Sequence, residues 1–554
     1  MDRQKKRMLR GAGRMVLSLL CLLAICSQMF ATPPAKETHS KKPQAAPASQ
    51  PVKNLILLIG DGMGPQQIGL LTTYAHQARQ SEYVGRETAI EQAMRAGTMG
   101  LVRTAPQGVL VTDSAAAATH LATGVDAAPE TVGLDRHGDP VETILEKARD
   151  AGKAVGLVTD TRLTHGTPAA FLAHRPHRSE ENEIAVEMLG ADADVLLGAG
   201  LRYWIPQQAT EVGSAAADEI KNMTGGAFDF ASRRRDNRNL LLEARLKGYQ
   251  LAFTDAQMER VHSGKLLGIF GNEALSDALV QRAAGKDFHE PTLFEMTEKA
   301  LELLSQDKAG FFLMVEAGQI DWACHNNDAG ALLQEMLRFD KALAAILQWM
   351  ESRNDTLLVV TADHETGSFG FSYSGSALPS PKKLPGSAFE DVRHAPDFNF
   401  GRPEILDRLY NQKKSYYSVF QKFDALPKEE QTPAKLSELV AANLPFPIRE
   451  QQAAEILKRG ANPLYVKDHR YLGSKTSPQV GDFSDFYVFG DNLRMNLLAR
   501  AVAADQNIIW GTGTHTSTPV VVVAIGPESA ARPFGRMMHA TEVGQLMQRA
   551  LFGR

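Results

Sequence analysis

Apolar residues arrive along this chain in short unbroken runs. The first is Leu55 to Ile59, in NLILLIGDGMG, and similar runs recur in KAVGLVTD (153–160), FFLMVEAG (311–318), TLLVVTADH (356–364) and PVVVVAIG (519–526). Runs this short, without polar alternation, predict strands buried on both faces of a parallel sheet. Stretches of helical period lie between them, including VETILEKARDAG (141–152) and EPTLFEMTEKALELLSQ (290–306). Strand–helix alternation on this scale predicts an α/β fold, a three-layer sandwich around a large, mostly parallel central sheet. Two regions interrupt the pattern. Residues 201–250 read as a surface excursion, with RRRDNR (233–238) a solvated turn rather than a phosphate-binding patch. Residues 375–505 are rich in Pro, Lys and Tyr and hold short helical stretches such as KLSELVAANL and EQQAAEILKRG. They read as a long inserted cap before the C-terminal strand. No internal repeat is present.

The N-terminus departs from the rest. MDRQKKRMLRGAGR is basic and VLSLLCLLAICSQMF apolar, which predicts a signal peptide over 1–31 cleaved after Cys26 or Ala31. The apolar run is short for a membrane span. An uncleaved anchor is the other reading, and the one route to a membrane partner. Residues 32–52, TPPAKETHSKKPQAAPASQPV, read as a disordered linker, and 53–554 as the folded domain. The expected location is periplasmic or extracellular. Over 554 residues the chain is 44% hydrophobic and 22% charged with net charge −4, a globular composition with no basic balance for nucleic acid. Of three cysteines, Cys21 and Cys26 lie in the signal; Cys324 remains, read as a packing residue, so no internal disulfide is expected.

Chemistry gathers where the apolar runs stop, and in open α/β sheets sites form at the carboxyl ends of strands. After LILLIG comes Asp61; after FLMV come Glu316, Asp321 and His325; after LLVVTA come Asp363 and His364; before PVVVVAIG comes His515. Singly, each has an ordinary reading: a turn aspartate, a helix-surface pair, a buried histidine. Together they are ligand types for Zn and Mg. Asp321 and His325, at i and i+4, can chelate one ion from one helical turn. Asp363 and His364 can share an ion only if the strand has stopped, and Glu365-Thr-Gly-Ser supplies the break. Four carboxylates and three histidines suggest two or three ions sharing a carboxylate. If VTDSAAAATHLATG is a strand end followed by a helix, Ser114 lies at the helix N-terminus. There it serves as N-cap, or as a nucleophile whose alkoxide, and an arriving anion, the helix dipole favours.

These motifs, IGDGMG, VTDSAAAAT, HGTPAAFLAHRPHR, VEAGQID..CH, TADHETG and GTHTST in this order, resemble those of the alkaline phosphatases from about Asn54 to the C-terminus, most weakly over 201–260 and 375–505. The resemblance implies hydrolysis of phosphate monoesters: a serine attacks phosphorus to give a phosphoserine, which water on a zinc ion hydrolyses. It makes Ser114 the nucleophile. Asp321, His325 and His515 would hold one zinc; Asp363 and His364 a second, with Asp61 bridging to a third, magnesium site completed by Thr167 and Glu316. Arg178 would grip the phosphate, its planar fork matching two oxygens. His165 and Trp322 stand where the best-known bacterial pattern has Asp and Lys, which puts the third site's affinity in question and implies faster product release. The resemblance also implies a homodimer, and that 375–505 caps the site or builds the dimer contact.

Competing readings are a phosphodiesterase or sulfatase of the same fold, and a non-catalytic exported binding protein. Sulfatases need a C/S-x-P-x-R context that VTDSAAAAT lacks, and Arg178 argues against a diesterase.

Overall fold

The computed structural model describes residues 52–285 and 288–553; the signal reading and all of the linker reading except Val52 lie outside the described residues. Eight strands come first: β1 (Asn54–Gly60), β2 (Thr98–Arg103), β3 (Ala154–Arg162), β4 (Val195–Ala199), β5 (Gln250–Ala252), β6 (Leu266–Ile269), β7 (Phe311–Ala317) and β8 (Thr356–Thr361). Six short ones follow: β9 (Glu365–Thr366), β10 (Phe369–Phe371), β11 (Arg459–Ala461), β12 (Thr476–Pro478), β13 (Ile508–Trp510) and β14 (His515–Thr516). The last are β15 (Val520–Ile525) and β16 (Met537–His539). Ten of them form one sheet in the order β16-β2-β15-β8-β1-β7-β3-β4-β6-β5. Every pairing in it is parallel except those of β15, which runs against both β2 and β8. Every residue of β1, β7 and β8 is buried, as expected of strands covered on both faces.

Helices cover the sheet in two groups. One surrounds the long helix Ala329–Met350, which packs on Leu293–Leu304, Pro65–Gln77 and Ala89–Ala96. The other surrounds Ser114–Thr123, packed on Ala540–Phe552 and Gly166–Ala169. This is the three-layer α/β arrangement expected from the sequence. No helix among the described residues is long and apolar enough to cross a membrane.

Three local expectations are corrected. Residues 111–113 form no strand end: the chain from Thr104 to Asp113 is a loop, and the preceding Leu110 is 85% exposed. Residues 201–250 are not a surface excursion throughout, because Trp204, Ile205, Leu240 and Leu241 are fully buried in the core. Within RRRDNR, Arg234 is buried; it donates to the Asn182 and Tyr203 carbonyls and pairs with Asp236 at 2.7 Å. The run alternates between outward charges and one internal tether, so it is not a uniformly solvated turn.

Residues 375–505 are tied to the main body through Asp328. This buried carboxylate caps the long helix through Ala331 N–H (3.0 Å) and accepts from Tyr416 N–H (2.6 Å) and Gln412 Nε2 (2.8 Å). Asp328→Ala removes the cap and strands a buried N–H, and is expected to cost about 2–4 kcal/mol. A fall in the thermal unfolding midpoint checks this.

Candidate active site

At the carboxyl edge of the sheet, β1, β7 and β8 end side by side, with Ile59 in register with both Glu316 and Thr361. β15 runs the opposite way, so its beginning lies at the same edge, and this brings His515 to the site. Asp61 follows β1 in a turn whose Gly62 has φ +72°. A Cβ on Gly62 would come 2.9 Å from the Asp321 backbone, so glycine meets both the backbone and the space requirement.

Three groups of donors result. In the first, Asp321 and His325 share the short helix Gln319–His325, with His325 Nε2 3.2 Å from Asp321 Oδ2. His515 Nε2 lies 3.1 Å from His325 Nε2 and 3.5 Å from Asp321 Oδ1. His325 Nδ1 bonds the Gly513 carbonyl (2.7 Å) and His515 Nδ1 the Thr112 carbonyl (2.9 Å). A carbonyl only accepts, so both Nδ1 atoms carry protons and both Nε2 atoms face the shared space; burial opposes a charge on His325, but the Asp321 carboxylate raises its pKa above the ordinary value.

In the second group, His364 Nε2 is 3.2 Å from Asp363 Oδ2 and 3.4 Å from Asp61 Oδ1. Thr366 donates to Asp321 Oδ1 (2.6 Å) and so accepts from His364 Nδ1 at 3.2 Å. One hydroxyl thus orients a ligand in each of two groups. β8 stops at Thr361, earlier than the expected break at Glu365. Glu365 and Thr366 instead form β9, which pairs with β14 and places the His364 and His515 rings face to face at 3.6 Å.

The third group is Asp61, His165 and Glu316. Thr167 Oγ1 lies 3.5 Å from Asp61 Oδ2. Glu316 Oε2 accepts from Thr159 (2.5 Å) and Thr161 (3.3 Å). Trp322 stands edge-on to His165, ring centres 5.9 Å apart.

Each group brings its donor atoms within 4.8 Å of one another. Asp61 Oδ1, Asp363 Oδ2, Glu316 Oε1 and His165 Nδ1 are buried with no hydrogen-bond partner. Buried carboxylate oxygens without donors are costly unless a cation faces them, so this donor set fits metal ions. The charges agree. Burial, then the Asp363 charge, raises Asp61 well above the usual carboxylate range; burial and Asp321 do the same to Asp363. Burial pushes Glu316 up to about 7. Burial opposes the Asp321 charge too, but His325 and its neighbours hold that group well below its ordinary value. Burial keeps His364 and His165 well below 6.5 and His515 at about 4, so these rings are neutral, as ligands must be.

Ser114 is 2% exposed, its Oγ 3.2 Å from His364 Nε2. It opens the helix Ser114–Thr123 but does not cap it, contrary to one sequence expectation. Asp113 is the cap, accepting from Ala115 N–H (3.0 Å) and Ala116 N–H (3.4 Å). Asp113 also accepts from Arg178 Nη1 at 2.9 Å. Burial raises the Asp113 pKa, but Arg178 and the backbone donors bring it below normal. Arg178 lies across Gly166, where a Cβ would meet Cζ at 2.8 Å, and its Nη2 is 3.3 Å from His165 Nε2. The structure therefore brings together every residue selected from the sequence: Asp61, Ser114, His165, Thr167, Arg178, Glu316, Asp321, Trp322, His325, Asp363, His364 and His515. Sequence reading missed Asp113, Thr159, Thr161 and Thr366. The signal for Asp113 was present, an N-cap residue type directly before the helix.

Known proteins resemble this chain in sequence and fold. The family described as Alkaline phosphatase matches residues 52–435. Alkaline phosphatase 3 of Bacillus subtilis is 32% identical over 66% of this chain and 72% of its own length. The streptomycin-6-phosphate phosphatase of Streptomyces griseus is 33% identical over 64% of this chain and 81% of its own. The crystal structure of Thermus thermophilus alkaline phosphatase superposes with a TM-score of 0.72, at 26% identity, over 94% of this chain and 96% of that one. With buried carboxylates and histidines gathered at one sheet edge, beside a serine and an arginine, this chain belongs to the alkaline phosphatase family.

Proposed function

We propose that this protein hydrolyses phosphate monoesters through a phosphoserine on Ser114. The observation that carries this reading is the placement of Ser114 Oγ at a helix start, 3.2 Å from His364 Nε2, with Asp113 holding Arg178 beside it. Asp321, His325 and His515 would hold one zinc ion; Asp61, Asp363 and His364 a second; and Asp61, Glu316 and Thr167, with His165 adjoining, a magnesium ion. When bound, the ions supply Lewis acidity, drawing charge from phosphoryl oxygens and easing ionisation of a hydroxyl or water. The Ser114 oxygen forms a bond to phosphorus as the bond to the leaving oxygen breaks, and water later breaks the serine ester to release phosphate. Asp113 occupies the Ala115 and Ala116 N–H groups, so the Ser114 helix favours the incoming dianion through its dipole rather than through those amides. Arg178 fixes its orientation with two parallel N–H donors, and Asp113 spares the guanidinium the entropy of finding that pose.

The test compares a phosphate monoester with a diester in wild type and Arg178→Ala. Wild type is expected to prefer the monoester. Arg178→Ala is expected to lower its kcat/KM about 10²-fold and the diester's less. A wild type preferring the diester, or equal losses on both, would reject the reading.

A further inference from the structure

Residues 459–491 bring to the rim of this site aromatic rings and a cation that the hydrolytic chemistry does not use. Phe489 stands edge-on to His325, ring centres 4.7 Å apart and planes at 74°. Tyr471 stands edge-on to Phe489, at 5.2 Å and 86°. The Arg470 guanidinium carbon lies 5.1 Å from the Tyr471 ring centre. Trp322 is edge-on to His165 in the third donor group.

The segment is held in place before any ligand arrives. Thr512 Oγ1 and Gly513 N–H both donate to the Phe486 carbonyl (3.1 and 3.2 Å), and Gly513 in turn accepts from His325. The turn bearing Tyr471 closes on His469 Nδ1, which accepts from Tyr471 N–H (3.2 Å) and Leu472 N–H (3.1 Å). β11 and β12 brace its base. Tyr471 is nonetheless 42% exposed. A fixed, part-exposed aromatic ring with a guanidinium over it makes a flat cation–π pair on which a planar partner can stack.

We infer that Tyr471, with Phe489 behind it and Arg470 alongside, forms a leaving-group subsite that favours phosphomonoesters of nucleosides over those of aliphatic alcohols. The inference rests on the phosphomonoesterase reading above. In this reading the phosphate lies at Ser114 and Arg178, and the base reaches past His325 and Phe489 to stack on Tyr471. Phe489 positions Tyr471 and buttresses His325, so its removal would confuse stacking with ligand orientation; Tyr471 is the informative site.

The experiment measures kcat and KM for 5′-AMP and glycerol 2-phosphate on the metal-loaded wild type, Tyr471→Ala and Tyr471→Phe. Wild type is expected to prefer 5′-AMP. In Tyr471→Ala the kcat/KM ratio of 5′-AMP to glycerol 2-phosphate is expected to fall about tenfold, chiefly through KM, and Tyr471→Phe to restore most of it. Competitive inhibition by adenosine is expected to weaken by a similar factor in Tyr471→Ala. An unchanged ratio, or equal losses on both esters, would overturn the subsite while leaving the phosphomonoesterase reading standing. A wild type that hydrolyses neither ester would overturn that reading, and the subsite with it.

Discussion

Ser114→Ala is expected to lower kcat on a chromogenic phosphate monoester by at least ~10³-fold, since no other group in the site can take the place of the lost nucleophile. The folded protein should hardly change. Asp113, not Ser114, caps the helix, and alanine has slightly higher helix propensity than serine. The Ser114 hydroxyl is within hydrogen-bonding distance of His364 Nε2, an atom read here as a metal donor, so its removal leaves no buried donor without a partner. The thermal midpoint and the metal content per chain should therefore match wild type, which separates a lost reaction from a lost structure. Acid quenching of wild type with substrate should add one phosphoryl group to the peptide bearing Ser114, and none in the variant. Retention of a tenth or more of wild-type turnover would exclude Ser114 as nucleophile.

Chelation should be nearly as severe. Thorough removal of divalent cations is expected to lower activity about a hundredfold or more, with recovery on adding zinc and magnesium. Stability should respond in a pH-dependent way. Asp61 and Asp363 have raised pKa values and Glu316 sits at about 7, against about 4 in an unfolded chain. On these carboxyls the stripped folded protein holds protons that the unfolded chain has released, and their contribution to stability is lost as pH rises from about 4 through about 7, while the neutral His165, His364 and His515 act in the opposite sense up to about pH 6.5. Bound cations compensate the same carboxylates without protons. The gap in thermal midpoint between loaded and stripped protein should therefore widen from pH 5 to pH 8, with about 4 kcal/mol contributed by each site held a thousandfold above its Kd. Parallel curves across that range would show that the carboxylates do not face bound metal.

The donors were legible in the sequence because a parallel strand buried on both faces must end in a polar turn, and LILLIGDG, FFLMVEAG and TLLVVTADH each announce that ending. Shorter pieces escaped. TMGLVR, VLLGA and LLGI are strands in the structure, but each is too brief or too mixed to stand out by period. Asp113 and Thr366 escaped because their work is relational. A capping aspartate looks the same whether or not an arginine from 65 residues away rests on it. Residues 459–491 carry no motif, and only their tertiary path brings Phe489 to His325. The reversed direction of β15 was equally hidden, since an apolar run has no polarity of its own.

β15 is the last long strand to be synthesised, yet it lies inside the sheet, and β2 and β16 join the other strands only through it. β2 is made early and has no neighbour until the ribosome has delivered residues beyond 520. His515 arrives with the same segment. A growing chain therefore carries Asp61 through most of its synthesis, and Asp321 and Asp363 through a later part of it, without the element that completes their surroundings. Such distant pairing is slow to form. The donor group of Asp321, His325 and His515 is thus completed only as the sheet closes, and a chain truncated before β14 is an unfinished vessel rather than a weaker enzyme.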